Sequence, residues 1–281
     1  MKSNNSLKRM FINYLVVLVP FILYAFYKNG IFLFNNYDDS ILVILKPLIL
    51  LGISLGTGFI LNKSINKKDS NKYMLYILGV ISFLLVPVNV NYLVYVIGLL
   101  FSMILYTKYK KLNSILVFML FIIIGSLILN NYSYLSGYDT SNTFIYNFIN
   151  LLFGKSYGGI GSCNLILSII AYIYLSYNSM YKKKIPLMVI SSFIVTSCLF
   201  IPFIGGEEVY YNLFNSQVVF IATFIATISY SSPTMNKSLI VYSLIIGILG
   251  AILVNLGLVY EGLYISILIG NLIYIFMKRM K

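Results

Sequence analysis

Residues 72–108 read KYMLYILGVISFLLVPVNVNYLVYVIGLLFSMILYTK. Between its flanking lysines, Lys72 and Lys108, the stretch carries no charge. One crossing of a bilayer needs about 20 apolar residues. This stretch is too long for one crossing, and it divides at Pro87, Asn89 and Asn91 into runs 73–88 and 91–107. Two runs separated by so few residues make a tight helical hairpin, and both lysine ends then return to the same side of the membrane.

The rest of the chain repeats the pattern. Further apolar runs fall at 11–27, 41–62, 114–130, 160–178, 185–204, 216–230, 238–257 and 260–277, the last two forming a second tight hairpin. With 60% hydrophobic and only 10% charged residues, there is too little polar surface to cover a water-soluble globule. Ten short-looped spans fill 281 residues and leave no room for a sizeable aqueous domain. The sequence predicts an all-α polytopic membrane protein of about ten transmembrane helices, with the lipid bilayer as its first partner. Tyrosine, at 26 residues against no tryptophan, supplies the interfacial aromatic belt.

The charges test the count. With the N-terminus in the cytoplasm, inside segments hold Lys2, Lys8, Arg9, Lys63, Lys67, Lys68, Lys72, Lys108, Lys110, Lys111, Lys182, Lys183, Lys184, Lys237, Lys278, Arg279 and Lys281. Only Lys28, Lys46 and Lys155 fall outside, with six of the seven acids: Asp38, Asp39, Asp139, Glu207, Glu208 and Glu261. Cytoplasmic loops are expected to hold the excess of Lys and Arg, and shifting the count by one span spoils the agreement. The expectation is a multi-pass cell-membrane protein with both termini cytoplasmic. The net charge of +13 is therefore topogenic, and no basic patch on a soluble unit points to nucleic acid. Lys8 and Arg9 followed by an apolar run look like a signal sequence, but Phe26, Tyr27 and Lys28 offer no small-residue cleavage site, so the run reads as an uncleaved first span.

The longest loop, 131–159, is expected outside and separates a first five-helix half, 1–130, from a second, 160–281. An odd number of spans per half makes the second enter from the opposite side, the geometry of an inverted repeat.

Chemistry-bearing residues are few. Cys163 and Cys198 sit in apolar surroundings without a CxxC pattern or any histidine, which points away from metal ligation. No catalytic triad, paired-carboxylate site or buried acid relay is visible, so no catalytic residue is assigned. Gly154, Gly158, Gly159 and Gly161 lead straight into the sixth run. They fit either a backbone site for an anion or polar ring at a helix start, or a flexible turn back into the membrane. Ser231-Ser232-Pro233-Thr234 is either a capped loop or a broken helix lining a path. Glu261-Gly262 opens the last run, where an acid also suits the helix dipole.

Four stretches of the second half, in order, resemble the RnfD/NqrB family, the membrane flavoprotein subunits of Rnf electron-transport complexes and of the sodium-pumping NADH:quinone oxidoreductase. They are Leu152-Phe153-Gly154 with Gly158-Gly159-Ile160-Gly161; Lys184-Ile185-Pro186; Ala226-Thr227 with Ser231-Ser232-Pro233-Thr234; and Gly247 through Asn271 with Glu261-Gly262. The resemblance covers residues 143–281, and the first half only by hydropathy. It implies two inverted five-helix halves and FMN bound covalently through its phosphate to a Thr on the outer face. Thr143 falls at that position, with Thr140 in a second possible register. It implies cofactor contacts from Gly158, Gly159, Gly161, Ser232, Thr234 and Glu261. It also implies electron transfer across the membrane coupled to Na⁺ or H⁺ movement, partner subunits, and a flavin transferase for maturation. The chain departs from the family pattern at Ser162 and Ile228, where the family has acids, at Tyr260, and in the run from Lys108 to Asn113, which lacks the family's Gly/Asn-rich segment. Those departures keep a second expectation open: a flavin-free relative acting as a transporter or assembly partner.

Overall fold

A computed structural model of the chain describes residues 2–31, 42–65, 72–87, 89–109, 112–129, 148–154, 158–228 and 232–279. Among them, all regular structure is helical. In chain order the helices are α1 (Lys2–Phe26, continued by a π-helix over Tyr27–Ile31), α2 (Leu42–Ile65), α3 (Lys72–Leu85), α4 (Tyr92–Lys108), α5 (Ser114–Leu129), α6 (Phe148–Leu152), α7 (Leu165–Ser176), α8 (Lys184–Cys198), α9 (Ile201–Ile204), α10 (Gly206–Asn215), α11 (Val218–Phe224), α12 (Asn236–Asn255) and α13 (Gly262–Arg279).

The solvent these helices expect is lipid. On α12 the buried residues Leu239, Tyr242, Ser243, Ile246, Gly247, Gly250, Ala251 and Val254 recur every three or four positions, so they form one face. The opposite face, with Ile240, Val241, Leu244 and Ile248, is exposed and equally apolar. A helix that is hydrophobic all round belongs in a membrane. Among the described residues, three stretches, Lys8–Ile31, Ile44–Ser64 and Asn236–Asn255, are long and apolar enough to cross a bilayer, and six shorter apolar helices accompany them.

The packing falls into two sets. In one, α2 lies on α3 and α4, and α4 on α5; in the other, α8 lies on α11 and α12, and α12 on α13. Contacts of α1 with α7, and of α5 with α13, join the sets. Aromatic rings fill the junction: Phe21 of α1 packs edge-on against Phe220 and Phe224 of α11, at centroid separations of 5.2 and 5.7 Å.

Four apolar runs are not continuous helices. Run 73–88 stops at Leu85, two residues before Pro87, whose missing N–H cannot extend it. Among its described residues, run 216–230 is helical only over Val218–Phe224. Run 160–178 becomes helical at Leu165, after Asn164, whose side chain accepts the Leu167 N–H at 2.9 Å. Run 185–204 ends at Cys198 and gives way to the short α9 and then α10.

Candidate functional site

The breaks at Leu85 and Phe224 leave helix carbonyls inside an apolar bundle, where each needs a donor. The two ends find donors in different ways.

At the end of α3 the donors are backbone amides of the glycine-rich loop. Ile160 N–H donates to the Val86 carbonyl at 2.8 Å, while Gly161 and Ser162 N–H donate to that of Leu84 at 3.1 and 3.2 Å. Such an approach needs bare backbone: a Cβ on Gly159 would lie 2.5 and 2.6 Å from the Leu84 and Leu85 carbonyl oxygens. The loop is fixed from three other sides. Asn29, in the π-helix after α1, donates to the Ile160 carbonyl at 2.6 Å. The Ser162 hydroxyl donates to Gln217 Oε1 at 2.5 Å. Asn164 Nδ2 donates to the Phe153 carbonyl at 3.1 Å. Gly158 adopts φ +135°, and the Gln217 side chain occupies the space a Cβ there would fill.

At the end of α11 most donors are side chains, although the Ile225 carbonyl also takes the backbone N–H of Ile228 at 3.3 Å. The Tyr181 hydroxyl donates to the Thr223 carbonyl at 3.1 Å, and the Thr227 hydroxyl to the same carbonyl at 2.5 Å. Tyr14 of α1 bonds Thr227 Oγ1 at 3.2 Å. Asn113, just before α5, donates to the Ile225 carbonyl at 3.2 Å, and the Tyr242 hydroxyl reaches that of Ala226 at 3.4 Å. The Ser232 hydroxyl closes the turn on the Ile228 carbonyl at 2.8 Å. Lys182 then donates to Ser232 twice, at 2.8 Å to its carbonyl and 2.6 Å to its hydroxyl. Burial lowers the Lys182 pKa to about 8, because the charged form is the one that loses water. Asn113 Oδ1, Ser114 Oγ and Thr223 Oγ1 are buried and have no hydrogen-bond partner among the described residues.

These two ends hold Gly158, Gly159, Gly161 and Ser232 of the residues singled out by the sequence, but apart from one another. Gly158, Gly159 and Gly161 precede α7, whereas the Lys182–Ser232 pair lies beyond its other end; its 12 residues span about 18 Å at 1.5 Å per residue. Thr234 is exposed in the segment before α12. Glu261 is half-buried in the turn before α13, its carbonyl accepting from Ile265 N–H at 3.1 Å. Thr143 and Thr140 lie outside the described residues. Asn29, Asn113, Lys182 and Gln217 escaped the sequence reading. A lone Asn at the head of an apolar run was the available signal for Asn113; Lys182 is masked by its neighbours Lys183 and Lys184, which fit a topogenic cluster.

The glycine loop's chemistry is constrained by its packing. An anion or flavin phosphate at a helix start is held by free backbone N–H groups. The amides of Ile160, Gly161 and Ser162 are already donated to α3, so they do not fit that role.

Among curated proteins, none matches the chain. A family model does match: that of the NQR2, RnfD, RnfE family, over residues 114–280. The matched region runs from the first residue of α5 through α13, takes in both the glycine loop and the end of α11, and covers more than half of the chain; on that ground, with its all-helical and apolar build, the chain belongs to the NQR2, RnfD, RnfE family of membrane proteins.

Proposed function

We propose that this chain is the membrane subunit of an Rnf- or Nqr-type electron-transport complex that carries FMN covalently on Thr143 and relays electrons across the membrane, coupled to Na⁺ or H⁺ movement. The observation that carries this reading is the family match over residues 114–280, within which the four family-like stretches stand in order. The reading includes ten spans in two inverted five-helix halves, both termini cytoplasmic, and Thr143 on the outer face. The paired packing supports it: α2 on α3 and α4 is matched by α8 on α11 and α12, and the contacts α1 with α7 and α5 with α13 are those that an axis relating the halves pairs with themselves. Other subunits of the complex are the partners, and a flavin transferase is required for maturation. FMN, when bound, supplies the one- and two-electron chemistry. Glu261, Ser232 and Thr234 are proposed as further contacts in the assembled complex.

A second reading is a flavin-free relative serving as a transporter or assembly partner. It is favoured by the loop amides committed to α3 and by the uncommitted buried oxygens of Asn113, Ser114 and Thr223 beside a broken helix, the setting in which membrane carriers bind their cargo.

Intact-mass measurement and in-gel flavin fluorescence of chain co-expressed with a flavin transferase separate the two. The first reading expects an FMN-sized adduct that disappears in Thr143→Ala and persists in Thr140→Ala. Absence of any adduct in the native chain leaves the second reading.

A further inference from the structure

We propose that Gln217 and Ser162 form a latch that makes the glycine loop and the broken helix α11 one mechanical unit, so that a displacement at either is transmitted to the other. This goes beyond the proposed redox role and holds whether or not a flavin is attached.

The latch is built from three observations. Gln217 is the one non-glycine residue with positive φ among the described residues, at 56°, the left-handed region that L side chains rarely adopt. It immediately precedes α11 and starts that helix, its carbonyl accepting Ile221 N–H at 3.0 Å. Its buried amide takes the Ser162 hydroxyl at 2.5 Å and fills the space beside Gly158. The strained backbone is thus held by a side chain that reaches out of its own helix into the loop, and a conformation of that cost persists only where its surroundings enforce it. Ser162 also donates its N–H to Leu84, so the same residue ties the latch to the end of α3. On the far side, α10, which leads into Gln217, is anchored to α12 and α8 by Asn212, whose amide donates to Asn255 Oδ1 at 3.2 Å, and by Asn255, whose amide donates to the Ser197 hydroxyl at 3.1 Å. With α10 held, a shift of the glycine loop that reaches Gln217 is taken up by rotation there and hence by tilting of α11.

Hydrogen–deuterium exchange of the full chain in nanodiscs tests the latch, with native, Ser162→Ala, Gln217→Gly and doubly substituted chains compared. Glycine accepts the left-handed backbone without strain, so a purely local role for Gln217 predicts unchanged or slower exchange in Gln217→Gly. The latch predicts that each single substitution speeds exchange at the amides of both Ile160–Ser162 and Ile221–Ile225, by about five- to tenfold, the factor one net hydrogen bond represents. It further predicts that the double substitution adds little to either single one, the signature of a shared interaction. Acceleration confined to the substituted segment, or effects that simply add, overturns it. Should Gln217→Gly fail to fold, Gln217→Asn serves instead: Asn tolerates the same backbone but is one methylene too short to reach Ser162.

Discussion

The ends of α3 and α11 solve one problem in two ways. Both helices stop inside an apolar bundle, and both leave carbonyls that lipid cannot satisfy. The α3 end is closed by three consecutive backbone amides of a single loop. The α11 end is closed mainly by hydroxyls and an amide from α1, α12 and the segments before α5 and α8, with the Ile228 N–H beside them and Lys182 bonded to Ser232. A backbone closure is all-or-none, because its donors move together with the loop. A side-chain closure is divisible, because each donor is held by a different element.

That difference sets the order of expected effects. Gly159→Ala is the most damaging: the Cβ meets the Leu84 and Leu85 carbonyls, the loop lifts, and all three amide bonds are lost together. At about 1 kcal/mol for each bond, plus the cost of carbonyls left unpaired, the loss is of order several kcal/mol and rivals the stability of a typical domain. Size-exclusion chromatography in detergent should show little or no monodisperse chain; a Gly159→Ala chain that stays monodisperse with native thermal stability breaks the distinction. Asn113→Leu comes next. It takes one of two donors from the Ile225 carbonyl, which keeps the Ile228 N–H, so about 0.5–1.5 kcal/mol is expected and the melting temperature should fall while the chain still folds. Tyr242→Phe removes a long bond of 3.4 Å and keeps the packed ring, so about 0.5–1 kcal/mol is expected. Combining it with Asn113→Leu should give a sum of the two losses; strong non-additivity would show that the α11 closure is also a single unit.

Lys182 adds a pH dependence to these effects. Its folded pKa is lowered from 10.5 to about 8, so the folded chain releases this proton before the unfolded chain does. Below pH 8 both states hold the proton, and the cost of burying the charge is fully felt. As pH rises from about 8 towards 10.5 that cost is relieved, and stability rises. The melting temperature of native chain minus that of Lys182→Gln should therefore increase over this window; a flat or falling difference contradicts the burial of a charged Lys182.

The sequence shows the membrane-embedded, all-helical character well, because lipid demands long uncharged runs and those are visible residue by residue. Pro87 marks the end of α3 in the sequence, but the break after α11 is not visible: IATISYSSP stays apolar or weakly polar from where that helix ends, so hydropathy reads through it. What satisfies each helix end is a donor from elsewhere in the chain: Ile160–Ser162 for one, Asn113, Tyr181 and Tyr242 for the other. For the same reason the glycine loop is conspicuous in the sequence while its task is not, since the Leu84 and Val86 carbonyls it serves leave no mark of their own. Lys182 shows the limit for charge: as one of three adjacent lysines it looks like a loop marker, and only the fold separates it from Lys183 and Lys184.

The closure of α3 also has a consequence for synthesis. A chain made from its N-terminus presents the Leu84 and Val86 carbonyls to the bilayer before Ile160, Gly161 and Ser162 exist, because α4, α5 and α6 are made in between. Until the loop arrives, those carbonyls must be held by water or by the insertion machinery, and the first helices wait in an unfinished state. The Asn113 donor of α11, by contrast, is already in place when Ile225 emerges. An interrupted or truncated chain ending before residue 160 is thus expected to be retained and degraded, whatever its hydrophobicity.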